Sequence, residues 1–183
     1  LNKREEDEII ILFDYNNGTT EVLDFLREKS VGEKIIFYKE RFSNHFADWK
    51  NKLTEYCSGD YIFQIDADEI PHKLLMINLP IILENNPDHE VYLVPRVNTV
   101  EGLTESHIKK WGWQVNDKGW VNYPDYQYRI WKNKPEIKWK NKVHEVLEGH
   151  KNFTSLPSQE ELSLYHPKTI ERQEKQNEYY NTL

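Results

Sequence analysis

Through residue 97 the chain alternates short β-prone apolar runs with stretches whose apolar residues recur at helical spacing, and this alternation narrows the possible folds most. Glu8 to Phe13 reads as a strand that closes on Asp14 and the turn-forming Tyr15-Asn16-Asn17-Gly18. Thr19 or Thr20 caps a helix with Glu21 in its first turn and Val22, Leu23, Phe25 and Leu26 as its apolar face. Lys34 to Tyr38 is a second strand. Asn44 precedes a second helix marked by Phe46, Trp49, Leu53 and Tyr56 or Cys57, with Gly59 at its carboxyl end. A third strand follows, then a helix opened by Pro71 that Pro80 should kink or divide, then a strand from Glu90 to Val97. This order predicts an α/β fold with a mainly parallel sheet flanked by helices, in which ligands gather at the carboxyl ends of the strands.

The third strand ends in acids. In Gly59-Asp60-Tyr61-Ile62-Phe63-Gln64-Ile65-Asp66-Ala67-Asp68-Glu69-Ile70-Pro71, a β-prone run stops at three carboxylates within four positions. Carboxylates this close raise one another's pKa and are costly to bury unless a cation or hydrogen-bond donors offset them. Were Asp66-Ala67-Asp68 extended, both Asp side chains would project to one side and could share a divalent ion. An Asp-x-Asp tripeptide in a solvated turn is the competing reading, and the buried strand before it favours function. Asp14 also falls at a strand end, where it could accept a hydrogen bond from a nucleobase or ribose or simply close an Asx turn.

Beyond Val97 the alternation fails, and Trp111, Trp113, Trp120, Trp131 and Trp139 crowd a region otherwise rich in Asn, Lys and Tyr. Tyr126 to Trp131 and Glu136 to Trp139 read as short strands, Lys142 to Leu147 carries His144-Glu145, and Leu162 to Tyr165 runs into His166-Pro167. Either histidine could complete a metal site as neutral imidazole, and His144-Glu145 could act as an acid–base pair. Most of the tryptophans are expected to pack the core, with one or two left to stack on a sugar. A polar helix closes the chain over Glu171 to Tyr180.

The remaining bounds come from composition. A chain of 183 residues suits one domain. A formal charge of −7 excludes a general nucleic-acid binder, which needs clustered Lys and Arg. Cys57 is the single cysteine, so no internal disulfide or multi-Cys zinc site can form. No apolar run approaches the ~20 residues of a membrane span. The expected setting is cytoplasmic, with peripheral membrane association left open.

Asn44 through Pro71 resembles the donor-site signature of family 2 glycosyltransferases with the GT-A fold, a Rossmann-like nucleotide-diphospho-sugar transferase architecture. Ile9 to Leu26 is similar to that family's second strand and the loop after it, with Asn17-Gly18-Thr19 matching the loop's end and Asp14 matching its nucleotide-contacting Asp if the loop is one residue shorter. Pro124-Asp125-Tyr126-Gln127-Tyr128-Arg129-Ile130-Trp131 and then Val143-His144-Glu145 resemble the later half of bacterial and viral members. The resemblance implies one GT-A domain over residues 1–183, with a donor half at 1–97, an aromatic-rich acceptor half at 98–183, and the family's first strand upstream of Leu1. It implies inverting transfer from a nucleotide-diphosphate sugar to a glycan, lipid-linked or protein acceptor. Mn²⁺ or Mg²⁺ would be held by Asp68, with Asp66 on the ion or on ribose, Asp14 on the nucleoside and Arg129 on a phosphate. His144 is the first choice to complete the metal site and His166 the second; Asp125 is the first choice of base, then Glu145, then Asp117. The competing classes are a metal-dependent phosphoester hydrolase, which would offer more metal ligands, and a non-catalytic carbohydrate-binding domain, which would bind glycans without nucleotide or metal.

Overall fold

The computed structural model describes residues 3–31 and 35–180. In chain order the elements are β1 (Ile9–Asp14), α1 (Thr20–Lys29), β2 (Ile35–Glu40), α2 (Phe46–Glu55), β3 (Tyr61–Phe63), β4 (Ile70–Pro71), α3 (Lys73–Asn85), β5 (Val91–Val94), β6 (Arg96–Glu101), α4 (Glu105–Trp111), β7 (Gln127–Lys132), β8 (Lys138–Lys140), β9 (Val146–Glu148), β10 (Phe153–Ser155), β11 (Leu164–Thr169) and α5 (Ile170–Tyr180), with a 3₁₀ turn at Glu160–Leu162. The expected start of the second strand at Lys34 lies outside the described residues.

The chain divides into two compact units, one of Lys3–Ile62 with Lys132–Gly149, the other of Phe63–Trp131 with the residues from His150 onward. In the first unit β1 and β2 pair in parallel, Ile9 opposite Ile35 through Asp14 opposite Glu40. Thr19 caps α1 by accepting from the Val22 amide. α2 is capped by the His45 side chain rather than Asn44, which takes a left-handed φ of 59°. Its carboxyl cap is Tyr56, so Gly59 belongs to the entry of β3 and not to the helix end. Phe13, Leu26, Ile35, Ala47, Ile62, Ile137, Trp139 and Leu147 are this unit's buried apolar residues, and β8 and β9 form an antiparallel pair.

The second unit corrects the expectation of a mainly parallel sheet. One of its sheets runs β10-β5-β7, with β10 parallel and β7 antiparallel to β5; the other runs β4-β11-β6, with β11 parallel to β6 and antiparallel to β4. The expected strand from Glu90 to Val97 is in fact two strands separated by Pro95. Proline has no amide hydrogen, so it cannot extend the ladder, and the chain leaves one sheet and enters the other at that residue. Leu75, Val91, Tyr92, Val94, Val97, Ile130, Trp131 and Leu164 make the core. Two boundaries around α3 also differ from expectation. Pro71 lies in β4 and His72 caps the helix, accepting from the Leu74 amide at 3.0 Å, while the helix runs through Pro80 without division.

Candidate active site

The β-structure of the third strand stops at Phe63, and Asp66 to Glu69 form a turn closed by a hydrogen bond from the Glu69 amide to the Asp66 carbonyl at 2.9 Å. The Glu69 carboxylate reaches back to accept from the Asp66 amide at 3.2 Å. The two aspartates are therefore not aligned on an extended segment, and they take different partners. Arg129, on β7, donates to Asp66 Oδ2 at 2.5 Å and to both Glu69 oxygens at 2.9 and 2.6 Å. Both Arg129 and Glu69 are out of water, with side chains 3% and 0% exposed. Burial opposes the charge on Arg129, but the Asp66 and Glu69 carboxylates beside it prevail and raise its pKa.

Arg96 continues the chain of ion pairs. Its Nη1 donates to Glu69 at 3.0 Å, and its Nε and Nη2 donate to Asp125 Oδ2 at 2.9 and 2.6 Å. The Arg96 amide also bonds the Asp125 carbonyl at 3.1 Å, anchoring the residue that precedes β7 to the start of β6. Asn98 donates to Asp125 Oδ2 at 2.8 Å and Gln127 to Oδ1 at 2.7 Å. Burial works to raise the Asp125 carboxyl; the Arg96 charge and these donors override it, leaving its pKa below the usual carboxylate value.

The β6–β11 register extends the network to the second aspartate. Asn98 lies directly opposite His166, and their side chains meet with Asn98 Oδ1 at 2.7 Å from His166 Nδ1. An ionised carboxylate only accepts, so the Asn98 amide nitrogen must face Asp125 and its oxygen His166. His166 Nδ1 therefore carries a hydrogen, and Nε2 faces Asp68 Oδ2 at 3.3 Å as a second donor. Arg172 of α5 donates to the same Oδ2 at 3.0 Å. The His166 hydrogen bond, against the opposing effect of burial and with further help from the His166 and Arg172 charges, holds the Asp68 carboxyl well below the usual range. Lys168, half-buried on β11, donates to Gln176 at 2.6 Å; burial is the main cause of its lowered pKa.

A divalent ion that took the place of the Nε2 hydrogen would find an imidazole whose Nδ1–H is held by Asn98, the arrangement used for metal ligation when the other nitrogen is fixed by a hydrogen bond. Two ligands placed cis on an octahedral ion at the ~2.1 Å typical of Mg²⁺ would be roughly 3.0 Å apart, close to the observed 3.3 Å. One carboxylate and one imidazole suit Mn²⁺ better than Mg²⁺, which prefers an all-oxygen shell. Among the described residues no group of three or more His, Cys, Asp or Glu gathers as a metal site, so the remaining ligands would be water or substrate oxygens.

Of the other sequence candidates, Asp14, His144 and Glu145 lie in the first unit and Asp117 in the second. Asp14 Oδ1 accepts from the Asn16 and Phe42 amides at 3.0 and 3.2 Å, and Oδ2 from Asn17 at 2.6 Å, so the carboxylate closes its own turn. Glu145 pairs with Lys50 at 3.0 Å, and the Lys50 ammonium sits 4.4 Å from the centroid of buried Trp139. His144 precedes it in a left-handed conformation with φ 54°. Asp117 is exposed. Sequence reasoning passed over Arg96, Asn98, Lys168 and Arg172, and also Gln64, whose Oε1 is buried without a hydrogen-bond partner among the described residues.

The family model for glycosyl transferase family 2 matches residues 1–149, and the chain belongs to that family. Membership implies a GT-A fold and supports glycosyl transfer as the general chemistry. The match takes in Asp66, Asp68, Arg96, Asp125 and Arg129 and stops before His166, Lys168 and Arg172. No curated protein matches the chain.

Proposed function

We propose that the chain transfers a sugar, with inversion, from a nucleotide-diphosphate sugar to a hydroxyl acceptor, and that the donor diphosphate binds at Asp68 and His166 through Mn²⁺. The observation that carries this reading is the Asn98 contact on His166 Nδ1, which leaves Nε2 beside Asp68 Oδ2 at 3.3 Å. A divalent ion bound there would neutralise charge developing on the departing diphosphate. His166 replaces His144 as the histidine assigned to the ion, because His166 is the one beside Asp68. Asp66 and Glu69 hold Arg129, and with it the turn that carries Asp68, in place. Arg129 is accordingly a positioning residue rather than a phosphate contact. Gln64 supplies an unmet buried acceptor for a donor hydroxyl or amide.

Asp125 remains the proposed base. Arg96, Asn98 and Gln127 keep its carboxylate ionised at neutral pH, and Oδ1, with a single donor, retains a lone pair for the acceptor proton. The ion pairing lowers its proton affinity, so transfer to it becomes favourable only as the acceptor oxygen loses electron density to the sugar carbon. Asp14 keeps a nucleoside role only on the strength of the family resemblance.

Calorimetric titration with nucleoside diphosphates, with and without Mn²⁺, tests the donor site. Asp68→Asn is expected to remove the Mn²⁺-dependent part of the affinity; an unchanged affinity would sink the assignment. Asp125→Asn is expected to keep donor affinity within about twofold and lose transfer by roughly 10²-fold or more, the scale of general-base catalysis. If it weakens Mn²⁺ binding instead, Asp125 acts through Asn98 and His166 and is not the base.

A further inference from the structure

Asp68 Oδ2, the oxygen beside His166 Nε2, is already in contact with a cation. Arg172 Nη2 donates to it at 3.0 Å, and the Arg172 side chain is 59% exposed against 20% for Asp68. Arg172 lies in the first turn of α5, whose start is fixed by the bond from its amide to Thr169 Oγ1 at 3.3 Å. The guanidinium thus reaches from a fixed backbone, through an exposed stem, to the carboxylate oxygen that a metal ion would use. Arginine does not lose its proton at any working pH, so only competition can release Asp68 from it.

We infer that Arg172 is a resident counter-ion that exchanges with the divalent ion at Asp68 and, once displaced, becomes a cationic contact for the donor diphosphate. This rests on the metal reading of Asp68 and His166. Before metal binds, Arg172 and His166 are the side-chain partners of the Asp68 carboxylate. A metal ion that recruits the carboxylate leaves the guanidinium on its exposed stem beside Lys168, whose ammonium is held at the end of β11 by Gln176 and Gln173. Two cations then border the site where an anionic ligand would bring its phosphates. An exposed arginine–carboxylate pair is weak, so its competition should depress metal affinity by about two- to fivefold and no more.

The consequence is a pair of effects of opposite sign from one substitution. Arg172→Gln should tighten binding of Mn²⁺ alone by about two- to fivefold, read by electron paramagnetic resonance. The same variant should weaken binding of UDP, GDP or dTDP, whichever the wild type binds, by roughly five- to tenfold at saturating Mn²⁺, the loss expected for a charge-assisted contact. Arg172→Lys should restore part of the nucleotide affinity, and thermal melting confirms that each exposed-site variant is folded. Wild-type protein that binds Mn²⁺ while Arg172→Gln binds it equally or less tightly overturns the exchange and leaves the metal site standing. Tighter Mn²⁺ binding with unchanged nucleotide affinity overturns the diphosphate role. Wild-type protein that binds no Mn²⁺, as Asp68→Asn should not, removes both the metal site and the exchange.

Discussion

At the scale of single residues, the site depends on offsetting charges that could not be buried separately. Glu69 has no exposed side-chain surface and is matched by Arg129 and Arg96, so removing either cation would strand a charge, the costly way to break a buried pair. Asp125 is the member of this network whose titration can be followed. Its folded pKa lies below the ordinary aspartate value, which is about 3.9 in an unfolded chain. The sign follows: its stabilisation is complete above that value and disappears as pH falls through the folded pKa. Asp125→Asn should therefore be about 1–3 kcal/mol less stable than wild type at neutral pH, the range for a charged hydrogen-bonded group. The difference should shrink on acidification below about pH 4. Urea denaturation from pH 7 down to pH 3 checks this, and a difference constant with pH would show that charge is not what Asp125 contributes.

Among the elements, α3 holds the clearest conflict between local preference and tertiary structure. Pro80 lies inside a continuous helix from Lys73 to Asn85, where it can offer no hydrogen to the carbonyl four residues earlier. The helix persists with Leu75 completely buried and Met76, Leu79, Ile82 and Leu83 half-buried, while Leu74, Ile77 and Ile81 stay exposed. Pro80→Ala restores a backbone bond and helix propensity while releasing some unfolded-chain freedom, so it should stabilise the protein by about 1–2 kcal/mol. The check is a higher urea midpoint with an unchanged m value. The early elements are legible in the sequence because β1 and β2 are short apolar runs and α1 and α2 carry apolar residues at helical spacing, although the caps of α2 are His45 and Tyr56 and not Asn44 and Gly59. The division at Pro95 is not legible, since a run from Glu90 to Val97 looks uniform until its two halves are seen in different sheets. The same holds at the site. The acids of Asp66 to Glu69 announce themselves as an unusual density of charge. Arg96, Asn98 and Arg172 gain meaning only from the β6–β11 register and the start of α5, which join positions far apart in the chain and leave no local pattern to read.

For the molecule as a whole, the family match and the fold have different extents. The match ends at residue 149, yet the second unit continues through β10, β11 and α5. β11 is a structural necessity there: it pairs with both β4 and β6, and Leu164 is completely buried where it faces Pro71 on one side and Arg96 on the other. Without it, β6 loses its only strand neighbour of sheet length among the described residues, and Val97 and Pro71 lose their partners Tyr165 and Leu164. β10 covers β5 in the same way and places Leu156, whose amide bonds the Leu93 carbonyl at 2.9 Å. A chain ended after Gly149 is therefore expected to lack a cooperative second unit, although it keeps every residue that the family model recognises. Its urea transition should be broad, with a smaller m value than the full chain, and it should bind a dye for exposed apolar surface in the absence of denaturant. His166, Lys168 and Arg172 leave with the same segment, so Mn²⁺-dependent nucleotide binding should vanish together with the folding. Should the shortened chain unfold sharply and still bind nucleotide with Mn²⁺, the segment after residue 149 would be an appendage, and the metal would have to be held by residues within the matched region alone.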